Sequence, residues 1–167
     1  MNVICSIFVQ IYEFALFTKL NFPSYSFRVR ENEKGDREIF DRVRKKFVAL
    51  TPEEWVRQHL IEYLVQERKF PLSLLAVEKQ LKLNTTTKRT DVLAYNNSLQ
   101  PILLAECKSP EINMDIQVLH QILRYNLVFN VRHLIVTNGM QHYVFLKEKN
   151  SDNWKQGVEF PFYQALP

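Results

Sequence analysis

The order in which helical and extended patterns follow one another constrains this chain more than any single residue does. Thr51-Pro52-Glu53-Glu54 opens a helix: Thr51 suits the N-cap, Pro52 the first turn, and Glu54 the capping-box position three residues on. The helix should run to about Glu67, with Val56, Leu60 and Leu64, joined by Tyr63, as its core-facing stripe. After Pro71 come three extended segments, at 74–83, 88–95 and 102–108. The spacing of Ile116, Leu119, Leu123 and Leu127 predicts a second helix over 113–129 with that stripe as its apolar face. Strands at 131–137 and 142–146 then meet across Asn138-Gly139, a strong turn signal. Helix, three strands, helix, two strands can bury its apolar faces as an α/β or α+β sandwich, a mixed central sheet flanked by helices.

Upstream, residues 20–40 alternate aromatic and polar types around the polar stretch 31–36, which contains Gly35, and read as a β-hairpin. Asp41-Arg42-Val43-Arg44-Lys45-Lys46 reads as a solvated helix face, with a phosphate-binding patch as the alternative. Residues 1–18 stand apart as an N-terminal extension. Ile4, Ile7, Phe8, Ile11 and Leu16 follow helical spacing, but Gln10 and Glu13 interrupt the apolar run, which is shorter than the roughly 20 residues a membrane span needs. A basic leader and a small-residue cleavage site are missing. Sequence from an upstream start, a docking helix and a membrane-surface anchor are the three readings, and no membrane partner is expected. Residues 19–167 should form one domain: 46% hydrophobic and 24% charged residues are enough to build a core at this length. Cys5 and Cys107 have neither zinc nor disulfide spacing, for which a reducing cytoplasm is the plain expectation. A net charge of +4 is compatible with a polyanionic partner.

In the strand at 102–108, side chains alternate, so Ile102, Leu104, Glu106 and Lys108 should share one face and Leu103, Ala105 and Cys107 the other. If 97–100 is the hairpin loop, Asn96 pairs with Pro101 and Asp91 with Glu106. Two carboxylates and an ammonium would then converge at the end of an apolar strand pair. Like charges so close repel, and a hard divalent cation relieves the repulsion; Mg²⁺ takes one or two carboxylates and keeps room for water and phosphate. Such an ion activates water and stabilises phosphoryl charge, with Lys108 placed to assist. The bland alternative is a cross-strand ion pair.

Context favours the former. Thr90-Asp91, Glu106-Cys107-Lys108 and Gln121-Ile122-Leu123-Arg124-Tyr125 resemble the PD-(D/E)XK nuclease superfamily, in its members with a QxxxY motif. More closely, residues 20–146 look like the N-terminal nuclease domain of type I restriction enzyme R (HsdR) subunits, a resemblance that the run Leu50-Thr51-Pro52-Glu53-Glu54-Trp55-Val56-Arg57-Gln58 strengthens. Thr90 departs from the proline of the superfamily name. The resemblance implies a restriction-endonuclease-like αβββαβ core and Mg²⁺-dependent hydrolysis of DNA phosphodiesters, Mn²⁺ being a substitute. Asp91 and Glu106 would hold the metal, and Lys108 would aid the attacking water. It implies a first-helix glutamate as well: Glu53 is preferred, Glu54 being assigned to the cap. Gln121 and Tyr125, set on a polar helix face, would brace the site or touch DNA, as would Lys88 and Arg89. Glu78 is a weaker candidate, and His59, His120, His133 and His142 lack ligand spacing. No G-x-x-x-x-G-K-[ST] sequence occurs, so the chain holds no P-loop ATP site of its own. DNA and other restriction-system subunits are the implied partners. The alternatives are a catalytically silent DNA-binding or scaffold module of the same fold, and a DNA-repair nuclease; keeping Asp91, Glu106 and Lys108 together favours an enzyme.

Overall fold

The computed structural model describes residues 18–83, 86–149 and 151–166, without the side chains at 81–83, 86–88 and 165. The expected N-terminal extension thus lies, but for Thr18, outside the described residues. From Leu20 onward the chain is tied in: Asn21 N donates to Gly139 O at 2.7 Å, and buried Leu20 packs beside Gly139 and Val56.

β1 (Val29–Glu31) and β2 (Arg37–Asp41) form the expected hairpin. Asn32 Oδ1 closes its turn by accepting from the N–H groups of Lys34 and Asp36. The basic run that follows is a turn leading into a third strand, β3 (Lys46–Ala49), where the sequence suggested a helix. Asp41 explains the difference. Its buried carboxylate accepts from Val43 N and Arg44 N at 2.7 and 2.8 Å, which folds the backbone back on itself, and Lys45 completes the turn at φ 55°.

α1 (Pro52–Gln66) begins as its sequence dictates, with Thr51 accepting from Glu54 N at 3.1 Å. The Glu54 carboxylate, assigned to the reciprocal half of the capping box, turns instead to Arg44, Arg57 and Gln58. Val56, Leu60, Ile61 and Leu64 are fully buried, each contributing about 1.5–3 kcal/mol.

The main sheet comprises β4 (Leu75–Leu83), β5 (Thr86–Tyr95), β6 (Pro101–Cys107), β7 (His133–Thr137), β8 (His142–Lys147) and β9 (Trp154–Gly157), in that spatial order. All neighbours are antiparallel except β6 and β7, which α2 (Ile116–Phe129) connects as a crossover. The αβββαβ order and the mixed sheet flanked by helices are those expected; β3 and β9 are additional. α1 packs over Val92, Ala94, Leu103, Ala105 and Cys107, and α2 over Leu93 and Leu104 on the opposite face. No described helix is long and apolar enough to cross a membrane.

Two local expectations are corrected. Tyr95, not Asn96, pairs with Pro101, and a bulge at Ala94/Tyr95 makes Ile102 the extra residue, so that Ala94 meets Leu103 and Val92 meets Ala105. The bulge restores the expected register toward the site, but moves Ile102 to the α1 side of the sheet, away from Leu104. In α2 the buried face is Val118, Ile122, Tyr125 and Asn126, while Ile116 and Leu127, at the ends of the expected stripe, are 61% and 80% exposed. α2 is apolar around much of its circumference, so spacing alone allowed either face. Asn126 decides between them: it exchanges hydrogen bonds with the backbone of Val131 at 2.8 and 3.0 Å, anchoring its own side of the helix inward.

Candidate active site

β5 and β6 pair as far as Val92 and Ala105. One residue on, Asp91 Oδ2 accepts from Cys107 N at 2.6 Å, so a side chain rather than a backbone carbonyl receives that N–H. Asp91 Oδ1 accepts from Arg57 Nη2, also at 2.6 Å. Arg57 reaches up from α1 with its side chain only 7% exposed, and its Nη1 donates to Glu54 Oε2 at 2.6 Å. Glu53 Oε1 and Glu78 Oε1 stand 3.5 and 3.6 Å from the same guanidinium. Arg44 ties the other side of this group together, meeting Asp41, Glu54 Oε1 at 2.8 Å and Glu78 Oε2 at 3.0 Å. Glu78 takes a left-handed φ of 50° in the stretch of β4 that pairs with the residues flanking Asp91, a strained conformation for a residue with a side chain.

Across the gap, Glu106 Oε1 accepts from Lys108 Nζ at 2.8 Å and, in a short bond, from Gln121 Nε2. Gln121 Nε2 also lies 3.2 Å from the Tyr125 hydroxyl oxygen. Gln121 and Tyr125 therefore sit on the inward side of α2 toward the sheet, not on the polar outer face the sequence suggested. Asp91 is held from the α1 side and Glu106 from the α2 side.

Electrostatics connects the two halves. Burial, then the charge of Asp91, pushes the Glu106 carboxyl up to about 8, against the opposing pull of Lys108. Glu53 is raised by burial and by Asp91, with Arg57 and Lys108 opposing. For Lys108, burial acts downward, but the Glu106 carboxylate outweighs it and keeps the ammonium charged. Arg57 behaves alike, its burial being outweighed by Asp91 and Glu54. The ion pairs join six carboxylates (Asp41, Glu53, Glu54, Glu78, Asp91, Glu106) to three cations (Arg44, Arg57, Lys108), a deficit of positive charge that falls on Glu106 and Glu53.

That donor set fits a hard divalent cation. Among the described residues no three His, Cys, Asp or Glu side chains form a ready-made cage, so such an ion would rest on one or two carboxylates and complete its shell with water, as Mg²⁺ ordinarily does. Each carboxylate oxygen has two lone pairs, so the bonds to Arg57, Cys107 and Lys108 leave acceptor capacity on Asp91 and Glu106.

Of the residues expected at the site, Asp91, Glu106, Lys108 and Glu53 share one electrostatic cluster, Gln121 and Tyr125 attach to it through Glu106, and Glu78 joins through the arginines. Arg89 is exposed on β5, and the Lys88 side chain lies outside the described residues. His59 and His142 stay apart, bonded to Trp55 O and Thr137 Oγ1 and lowered in pKa by burial. Sequence reasoning missed the parts played by Arg57, Arg44 and Glu54. The signal was present for one of them: Glu53 and Glu54 precede Arg57 by four and three residues, the spacings at which side chains meet on a helix.

Residues 52–163 match the family model described as type I restriction enzyme R protein N terminus. Among solved structures, a fragment described as an HsdR subunit of a type I restriction enzyme from Vibrio vulnificus YJ016 matches with a TM-score of 0.50 at 17% identity, over 70% of this chain and 24% of that one. At that identity the likeness concerns the fold, and this chain corresponds to a quarter of the longer one. Comparison with curated proteins finds no match.

Proposed function

Since this chain belongs to the family of type I restriction enzyme R protein N termini, we propose that it is a Mg²⁺-dependent DNA endonuclease domain serving a restriction system in the cytoplasm, with DNA and the system's other subunits as partners. The observation that carries this reading is the charge deficit around Asp91 and Glu106: two buried carboxylates beside Lys108, one of them pushed up to about 8, are costly unless a cation is recruited. Asp91 and Glu106 would hold Mg²⁺, or Mn²⁺ in its place, and Glu53 would stand at the more exposed rim with its side chain 43% accessible. When bound, the ion supplies an acidified water and charge stabilisation at the scissile phosphoryl group.

The chain's own residues do the rest. Arg57 and the Cys107 N–H fix both oxygens of Asp91, so its carboxylate is oriented before any ligand arrives. Gln121 and Lys108 both donate to Glu106 Oε1 and hold that one oxygen. The Lys108 ammonium carries three donors, of which Glu106 uses one, leaving two for a water or a phosphoryl oxygen. Tyr125 backs Gln121 from within the α2 packing.

One observation favours a second reading. The Arg57 guanidinium already neutralises Asp91, which would suit a DNA-binding module without turnover. A cleavage assay on linear, circular, single-stranded and branched DNA, with Mg²⁺ or Mn²⁺ and with Lys108→Ala as control, separates the two. Metal-dependent cleavage that Lys108→Ala abolishes supports the endonuclease, and the form of DNA cut separates restriction from repair. DNA binding with no cleavage under any metal supports the module.

A further inference from the structure

The outer face of the β1–β2–β3 sheet carries an arrangement that the catalytic reading does not use. Val29 pairs with Ile39 and Ile39 with Val48 on the inner side, where Ile39 is fully buried. Phe40 N donates to Arg28 O, so Arg28, Phe40 and Phe47 form a row across the opposite side. Arg28 Cζ lies 4.4 Å from the Phe40 ring centre and 5.6 Å from that of Phe47; Arg30 Cζ lies 4.0 Å above Phe47. The two rings meet edge to face at 5.2 Å. Arg28 and Arg30 are exposed, as is Lys45 at the β2–β3 turn, and the only carboxylate in these rows, Glu38, is taken by Arg30 at 2.7 Å.

We propose that this face is a second DNA contact, in which Arg28 and Arg30, held over the Phe40 and Phe47 rings, bind backbone phosphates and lead the strand toward the site. Three observations support it. Stacking holds a guanidinium by its face and leaves the donors around its edge for phosphate, with less side-chain entropy lost on binding than for an unsupported lysine. The exposed charge of these rows is positive, complementary to a polyanion, the hairpin's exposed carboxylates Glu31, Glu33 and Asp36 lying in and beside the β1–β2 turn. The same hairpin also ends at the candidate site: Arg44, in the β2–β3 turn, bonds to Glu54 and Glu78 beside Arg57. A nucleic acid lying along the hairpin toward that turn would therefore approach Asp91 and Glu106.

This inference rests on the DNA reading given above, and its test keeps the two separable. Binding of a labelled duplex and of a single strand of equal length is measured by fluorescence anisotropy in chelator, across a series of salt concentrations. The double variant Arg28→Gln/Arg30→Gln should weaken binding and reduce the salt slope by about 1 to 2, since each lost phosphate contact removes about 0.9 on duplex and 0.7 on single strand. Arg28→Lys/Arg30→Lys should restore most of the slope. The equally charge-reducing Lys149→Gln/Lys155→Gln, beyond β8 and on β9, should leave both unchanged. The arm that loses more identifies which form of DNA the face holds. A glutamine variant that binds like wild type with the same slope overturns the inference and leaves the nuclease reading intact. A lysine variant as impaired as the glutamine one assigns the loss to structure and overturns it too. A wild type that binds neither DNA instead defeats the functional reading on which it rests.

Discussion

Arg57 Nη2 donates to Asp91 Oδ1 at 2.6 Å, binding the first helix to the residue of β5 just beyond its last pair with β6, Val92 with Ala105, where the candidate site lies. The guanidinium is buried and bridges Asp91 to Glu54; on its removal Glu54 keeps Arg44 and Gln58, but buried Asp91 loses its ion-pair partner. Arg57→Met should therefore cost about 3–5 kcal/mol in urea unfolding, the range for breaking a buried ion pair from one side. Adding Asp91→Asn to that variant should recover part of the loss. A cost below about 1 kcal/mol would mean that solvent already screens the pair.

Glu106 sets a pH dependence whose sign follows from its position. Its folded-state pKa, about 8, lies above the ordinary carboxylate value, so the native protein keeps a proton that the unfolded chain releases. Stability from this group is present below the unfolded value and is lost as pH rises toward 8. In thermal melts with chelator, Glu106→Gln should be more stable than wild type at pH 8 and close to it near pH 4. Divalent metal should reverse the wild-type penalty and release protons on binding at pH 7, read as a buffer-dependent heat in calorimetry. Equal melting of the two proteins across the range would contradict the assignment.

What was legible in the sequence was what local rules dictate. The Thr51 cap, the Gly35 and Gly139 turns and the order of strands and helices follow from neighbouring residues, and the structure keeps them. The grouping of Glu106 with Lys108 followed from a period of two along one strand. The register opposite Asp91 was reached through an incorrect loop, one residue too short, that the bulge at Ile102 offset. Hidden from sequence were relationships between distant segments. Arg44 and Arg57 gain meaning only when β2, β4, β5 and α1 meet, and the inward face of α2 is selected by Asn126 reaching Val131 rather than by apolar spacing.

The corrected face of α2 has a direct consequence. Ile122 is fully buried between α2 and the sheet, whereas Leu127 is 80% exposed. Ile122→Ala should cost about 2–5 kcal/mol through lost burial and the cavity left behind. Leu127→Gln should stay within about 0.5 kcal/mol of wild type. Denaturant unfolding of the two variants checks the helix's rotation, and comparable losses would restore the stripe of Ile116, Leu119, Leu123 and Leu127 as the packed face.

The proposed division of labour at the site predicts different outcomes for residues only a few ångströms apart. Asp91→Asn and Glu106→Gln keep the shape of each side chain while removing the charge that would hold a divalent ion, so both should abolish cleavage and the heat of Mn²⁺ binding. Lys108→Ala removes an ammonium, which is not a metal ligand; cleavage should stop while Mn²⁺ binding persists. DNA affinity in chelator should be equal or higher for the two carboxylate variants, because affinity comes mainly from Lys and Arg contacts to phosphate; Asp91→Asn removes a negative charge from the place a phosphate would occupy, and Glu106→Gln does so only as pH rises toward 8, where Glu106 ionises. Arg57 makes the Asp91 result the more informative of the pair. Once Asp91 is neutral, the guanidinium that paired with it is no longer balanced there and adds local positive charge, so Asp91→Asn should gain at least as much DNA affinity as Glu106→Gln. If instead the wild type takes up no divalent ion at millimolar concentration with DNA present, Arg57 is the permanent counter-ion of Asp91, and the binding-module reading replaces the endonuclease.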